Sequence, residues 1–401
     1  MAPKNVFSPE AVEQGLYIAY TALSVMAIVP IYFGSFASLK KWQNPDSRKR
    51  ILKRQIDESG EDDDMQEDTP SEVLSSRGAY SLPLFGPALL YGLNLAYTHW
   101  NRTYINYVIS AYFVLLSVFA FTQAGVNTFD GIANLLGIRV DSFYVTLAKR
   151  SKAAVPLEFY SARFTIIHTA MLMGSILLSG YYVATRHWIV SNILAISLGL
   201  SAIQTLTLDS FKSGMTLLIN FLLHDSFLMY GSDMLVSVTK SIDFIPIRIT
   251  FPRLLSGLLV DGQTYFRDEF VVLNLGDIVI PGLFVALCLH FDQYRSGIKN
   301  HELGRSTNFR KPYFIACIIA YILGLGVSFY IMHATRNTYP TLLFLVPACI
   351  LSVIMTASVR GEMRQVFAFV TEEGLEAIRI KKEALNRKRR RVQTTRYASR
   401  G

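Results

Sequence analysis

Two aspartates sit where a carboxylate is costly. Asp225 lies within Leu222-Leu223-His224-Asp225-Ser226-Phe227, and Asp277 within Leu273-Asn274-Leu275-Gly276-Asp277-Ile278-Val279-Ile280. Both stretches are otherwise apolar enough to be buried in a bilayer, where a charge costs at least about 2.5–3.5 kcal/mol on insertion scales. An acid there needs a partner or a task. Two carboxyls close together in a low dielectric do not both ionise, so they share a proton. One then acts as base on a water while the other, protonated, polarises a carbonyl, which is the division of labour in an aspartic protease. The same pair suits a proton-coupled transporter or channel equally well, and an inactive scaffold that binds membrane helices stays open beside them.

These acids need helices to hold them at one depth. Of 401 residues, 51% are hydrophobic and 17% charged, against roughly 25% charged in a soluble domain. Residues 40–77 and 360–401 hold 35 of the 69 charges. What lies between is too apolar for an average soluble enzyme. The net charge of +9 resides mostly in the tail, so it does not signal a nucleic-acid binder. Nine stretches reach the roughly 20 apolar residues a spanning helix needs: 15–39, 79–98, 103–124, 164–184, 188–207, 213–231, 269–291, 313–333 and 340–358. The expected fold is an all-α polytopic membrane protein of nine transmembrane helices. Asp225 falls six residues before the outer end of the sixth span, and Asp277 eight residues after the outer start of the seventh. At 1.5 Å per residue the depths are roughly 9 and 12 Å, so the two carboxyls can meet between antiparallel neighbours.

An odd number of spans puts the termini on opposite sides. With the C-terminal tail cytoplasmic, 31 of 39 Lys and Arg fall on the cytoplasmic side, as the positive-inside rule requires. The chain then divides into a lumenal N-terminus and first span (1–39), a cytoplasmic acidic loop (40–77), spans two to five (78–207), a catalytic region with spans six to nine (208–358), and a basic cytoplasmic tail (359–401). Nine of sixteen positions in 57–72 are acidic, a composition that buries no core. Arg387-Lys388-Arg389-Arg390-Arg391 reads as a brace on anionic lipid. Trp42, Trp100 and Trp188 mark interfaces. The sequon at Asn101 is too close to the membrane to be used. Cys288, Cys317 and Cys349 read as small packing residues. No metal or nucleotide motif appears, and no cofactor is expected. Lys212 and Asp292 read as interfacial anchors. His224 points about 100° away from Asp225 on a helix, and reads as packing or interface.

Three motifs resemble the signal peptide peptidase family of GxGD intramembrane aspartyl proteases, which is related to presenilin. They are Phe211-Lys212-Ser213-Gly214 through Asp225 to Ser241; Leu275-Gly276-Asp277-Ile278-Val279-Ile280-Pro281-Gly282 to Asp292; and Tyr339-Pro340-Thr341-Leu342 to Cys349. Where the family has Tyr-Asp, Gly-x-Gly-Asp and Pro-Ala-Leu, this chain has His224-Asp225, Asn274-Leu275-Gly276-Asp277 and Pro340-Thr341-Leu342. The resemblance implies that Asp225 and Asp277 are catalytic and that Leu275, Gly276, Pro340, Thr341 and Leu342 bind substrate. Gly276 is expected to let the helices approach at the pair. It further implies an endoplasmic reticulum enzyme that cuts released signal peptides and other type II or tail-anchored segments. Its partners would be those peptides and the lipid bilayer, with degradation machinery and a second copy of the chain as further ones.

Overall fold

A computed structural model describes residues 9–39, 72–74, 88, 91–93, 95–136, 142–149, 157–230, 247–253, 270–299, 309–337, 339–371 and 374–375. Helices dominate. In chain order they are α1 (Pro9–Ala37), α2 (Arg102–Leu136), α3 (Ile166–Thr185), α4 (Trp188–Thr205), α5 (Phe211–Tyr230), α6 (Gly276–Lys299), α7 (Pro312–Thr335), α8 (Leu342–Arg360) and the short α9 (Met363–Ala368). Seven of them, α1 to α4 and α6 to α8, are long and apolar enough to cross a membrane. They cover the first, third, fourth, fifth, seventh, eighth and ninth expected spans. α5 covers the sixth, with Lys212, Asn220, His224 and Asp225 lowering its apolarity. The second expected span and the acidic run 57–71 lie largely outside the described residues, as does the tail beyond residue 375.

The chain is mostly helical, as expected for a polytopic membrane protein, and three two-stranded sheets accompany the helices. β1 (Glu72–Leu74) pairs in parallel with β4 (Leu206–Leu208), β2 (Ser142–Lys149) pairs antiparallel with β3 (Leu157–Thr165), and β5 (Arg248–Pro252) pairs antiparallel with β6 (Phe270–Asn274). The seventh span therefore does not begin as a helix at residue 269. Phe270-Val271-Val272-Leu273 is β-branched and aromatic, which favours a strand wherever a partner strand is present. The helix starts at Gly276.

α6 is the axis of the bundle. Of its spanning segment, 78% is buried, against 11% for α2, whose apolar side chains face outward as lipid-facing residues do. α6 packs on α1, α4, α5, α7 and α8. Its residues Ile278, Phe284, Val285, Cys288, Leu289 and Phe291 are fully buried. The approach of α4 is tight: a Cβ on Gly282 of α6 would stand 2.6 Å from Ile203 Cδ1, so any side chain here would have to displace the end of Ile203.

Polar groups close one end of the bundle. Asp292 of α6 is buried, and its carboxylate accepts the backbone N–H groups of Tyr313 (3.4 Å) and Phe314 (2.9 Å) at the start of α7. It caps α7 from a neighbouring helix and is not the interfacial anchor its position suggested. The capped donors are two of the four that every helix leaves unpaired at its N-terminus. Nearby, Glu362 binds Arg295 at 2.8 Å and accepts the Tyr313 hydroxyl at 3.0 Å. At this same end β1 lies on β4, Val370 bridges Ser210, and the Thr371 hydroxyl donates to Leu208 O at 3.0 Å.

Candidate active site

At the opposite end, β6 runs into α6 through Leu275. The Leu275 N–H donates to Ile247 O (2.9 Å), and its carbonyl accepts the N–H groups of Ile278 (3.1 Å) and Val279 (2.8 Å). One residue thus ends the sheet and begins the helix. Its side chain lies over Gly199 of α4, so Leu275 also anchors the junction to α4. Asp277 follows in the first turn and is 3% exposed. Its carbonyl has no partner within the helix, because Pro281, four residues on, has no N–H to give. The Tyr321 hydroxyl of α7 fills that gap at 3.3 Å.

The Asp277 carboxyl accepts hydrogen bonds from the Thr341 hydroxyl and from the backbone N–H of Asn274. Asp225 reaches the same place from α5, close enough for the two charges to act on one another. Its side chain is 31% exposed, so one acid is enclosed and the other opens outward. Pro340 is buried and Thr341 half-buried just before α8, and Leu342 is buried as its first residue. The Pro340 and Thr341 carbonyls accept the first N–H groups of α8. Asp225, Asp277 and Thr341 thus converge. Gly276 departs from expectation: a Cβ there would meet nothing within 4 Å. It does not serve close helix approach, and leaves open space beside Asp277.

Among the described residues, the sheet next to the acids has one closed and one open edge. Since Leu275 bonds to Ile247, the pairs Ile249–Leu273 and Phe251–Val271 are the hydrogen-bonded class. Arg248–Asn274, Thr250–Val272 and Pro252–Phe270 therefore turn their backbone groups outward. On β5 the outward groups of Thr250 are both taken by buried Asn192 of α4. Its Nδ2 donates to Thr250 O (2.7 Å), and its Oδ1 accepts the Thr250 N–H (2.9 Å). On β6 the outward N–H of Asn274 goes to Asp277, while the N–H and C=O of Val272 have no partner among the described residues. The open edge of β6 leads directly to the enclosed carboxyl. No sequence signal marked Asn192 beyond an amide inside an apolar span, and its role depends on a sheet that the hydropathy pattern conceals.

Among the described residues, no group of three or more His, Cys, Asp or Glu is arranged to hold a metal ion. Cys288, Cys317 and Cys349 are buried free thiols on α6, α7 and α8.

Comparison with known proteins points the same way. A family model described as signal peptide peptidase matches residues 65–373. The chain is 30% identical over 365 residues to signal peptide peptidase of Mus musculus, covering 90% of this chain and 85% of that protein. It is 29% identical over 363 residues to signal peptide peptidase of Homo sapiens, with the same coverage. A probable intramembrane protease of Schizosaccharomyces pombe is 28% identical over 312 residues, 77% of this chain and 88% of that protein.

Proposed function

The chain belongs to the signal peptide peptidase family, and we infer that Asp225 and Asp277 are the residues that do its chemistry. It is an intramembrane aspartyl protease acting on membrane-embedded peptides. The observation that carries the assignment is the meeting of the two acids at the end of an open-edged strand. A scissile peptide bond in an intact helix has its carbonyl engaged in the helix, so the substrate must be unwound before attack. An extended segment along β6 finds its partners in the outward groups of Val272, and its next residues arrive at Asp277. One carboxyl of the pair takes a proton from water while the other gives one to the scissile carbonyl oxygen. Thr341 steadies Asp277 during that exchange, Leu275 and Leu342 hold the two ends of the frame, Pro340 fixes the turn between them, and Gly276 leaves room for the substrate backbone.

The direction of β6 bears on substrate class. With the basic face of the bundle cytoplasmic, β6 descends from the lumen, so a segment paired antiparallel with it has a cytoplasmic N-terminus. That is the orientation of released signal peptides and other type II segments. An endoplasmic reticulum location, a lumenal N-terminus and a cytoplasmic tail complete this reading. Degradation machinery and a second copy of the chain are partners it accommodates. The test is cleavage of a labelled signal peptide by purified protein in detergent. Asp225→Asn and Asp277→Asn should each abolish turnover and leave the thermal melt intact. Substantial cleavage by either single variant removes the assignment.

A further inference from the structure

The start of α2 carries a polar face that the chemistry at the two acids does not use. Arg102, Thr103, Asn106, Tyr107 and Ser110 fall at the spacing of one helix face. From Arg102 to Ser110 that face descends roughly 12 Å into a segment apolar enough to cross the membrane. Opposite it stands Arg186, in the two-residue turn between α3 and α4, and the six residues line a cavity of about 240 Å³. One water needs only roughly 10–15 Å³, so the space takes a polyatomic group. Arg102 lies over the ring of buried Tyr97, 5.8 Å from its centroid, and the Tyr97 hydroxyl donates to Asn106 Oδ1 at 2.5 Å. Arg186 has φ 51, a left-handed backbone at which glycine or asparagine is the cheaper residue. The backbone alone therefore does not account for an arginine in this turn.

Charge and depth say what that group is. No Asp or Glu occurs in residues 73–129 or 159–208, so α2, α3 and α4 bring two cations and no acid to this end of the bundle. Arg102 also stands in the first turn of α2, where the helix dipole disfavours a cation. An anion between the arginines answers both, and guanidinium forks match phosphate oxygens in pairs. Beside the cavity Trp100, Tyr104 and Tyr107 are 73%, 72% and 61% exposed, and exposed aromatic side chains of this kind sit at the level of lipid headgroups. We propose that the groove binds the phosphate of a phospholipid headgroup, with Arg102 and Arg186 on its oxygens and Thr103, Asn106 and Ser110 along its sides. The bound lipid ties α2 to the α3–α4 turn. Trp188, two residues after Arg186, packs edge-on against Phe251 of β5 and against Phe270 of β6, so the tie reaches the strands that lead to Asp277.

The experiment is the thermal melt of purified full-length protein in nonionic detergent with three additives. Dioleoyl phosphatidylglycerol carries chains and phosphate, dioleoylglycerol the chains alone, and glycerol phosphate the headgroup alone. Phosphatidylglycerol at about 100-fold above its Kd should raise the melting temperature by about 2–5 °C, and the other two should not. Arg102→Gln and Arg186→Gln should each require about tenfold more of the lipid for the same shift, the scale of one charged hydrogen bond. Arg186→Asn, which suits the left-handed backbone, is the variant to read if the glutamine protein does not fold. Arg336→Gln is the control: Arg336 follows α7 with φ 53, lies outside the groove, and should keep the full shift when replaced. An equal loss in Arg336→Gln, a full shift in either groove variant, or equal stabilisation by dioleoylglycerol overturns the proposal. Equal stabilisation by glycerol phosphate keeps the phosphate site and overturns the lipid as its source.

Discussion

Thr341 and Asp292 both hold hydrogen bonds that a single substitution can remove, and they separate catalysis from stability. Thr341 donates to the enclosed carboxyl. Thr341→Ala should keep cleavage but lower kcat by about two- to tenfold, the scale of one hydrogen bond of about 1 kcal/mol. It should also change the affinity of inhibitors that mimic the transition state, which depend on close fit at the acids. Unchanged turnover and unchanged inhibition curves would place Thr341 outside the site. Asp292 is different, because it holds the start of α7 rather than the chemistry. Asp292→Ala should cost about 1–3 kcal/mol, seen as a lower melting temperature in detergent, with cleavage kept well below the melt. Asp225, Asp277 and Thr341 were legible in the sequence because acids in apolar runs are rare and because their motifs resemble a known family. Asp292 and Gly276 were misread for one reason. Asp292 caps a helix distant in sequence, and the space beside Gly276 belongs to the assembled bundle, so neither follows from local pattern.

The element that sequence pattern hid is the β5–β6 sheet. A run such as Phe270-Val271-Val272-Leu273 continues smoothly into an apolar helix, and hydropathy does not distinguish strand from helix in so short a run. Helix existence was legible because 20 apolar residues leave few alternatives in a bilayer, whereas strand pairing depends on a partner more than a dozen residues away. Two strands alone are marginally stable, so this sheet needs the support of α4. Asn192 supplies it by holding both backbone groups of Thr250. Asn192→Leu keeps the volume but leaves those groups unpaired in a buried place. The strand β6 should then be presented less firmly, raising KM about tenfold, or about 1.4 kcal/mol, with kcat within about threefold. Val272→Pro, which removes the outward N–H of the open edge, should raise KM at least as much. If the proline variant binds and cleaves substrate normally, β6 is not the docking edge. If only the leucine variant is silent, α4 packing holds the sheet without the amide.

At the scale of the molecule, the question is which face of the bundle meets the cytoplasm. The fold groups its ends without reference to charge. β1 lies near the end of the acidic loop, β4 between α4 and α5, and Val370 and Thr371 in the tail, and all three meet at one end. The acidic loop and the tail must therefore leave from the same side of the membrane. The acids, β5–β6 and the Pro340 turn stand at the other end. The count of 31 basic residues against 8 then favours the loop-and-tail side as cytoplasmic, since translocating that many cations opposes the positive-inside rule. Two tags in sealed microsomes test this together. One inserted within 232–268 should survive added protease, and one at the C-terminus should be digested. A digested internal tag with a protected tail tag inverts the protein, and with it the direction of β6. Substrates paired antiparallel along that strand would then need a lumenal N-terminus, so the same two tags decide which orientation of membrane peptide the protein can cut.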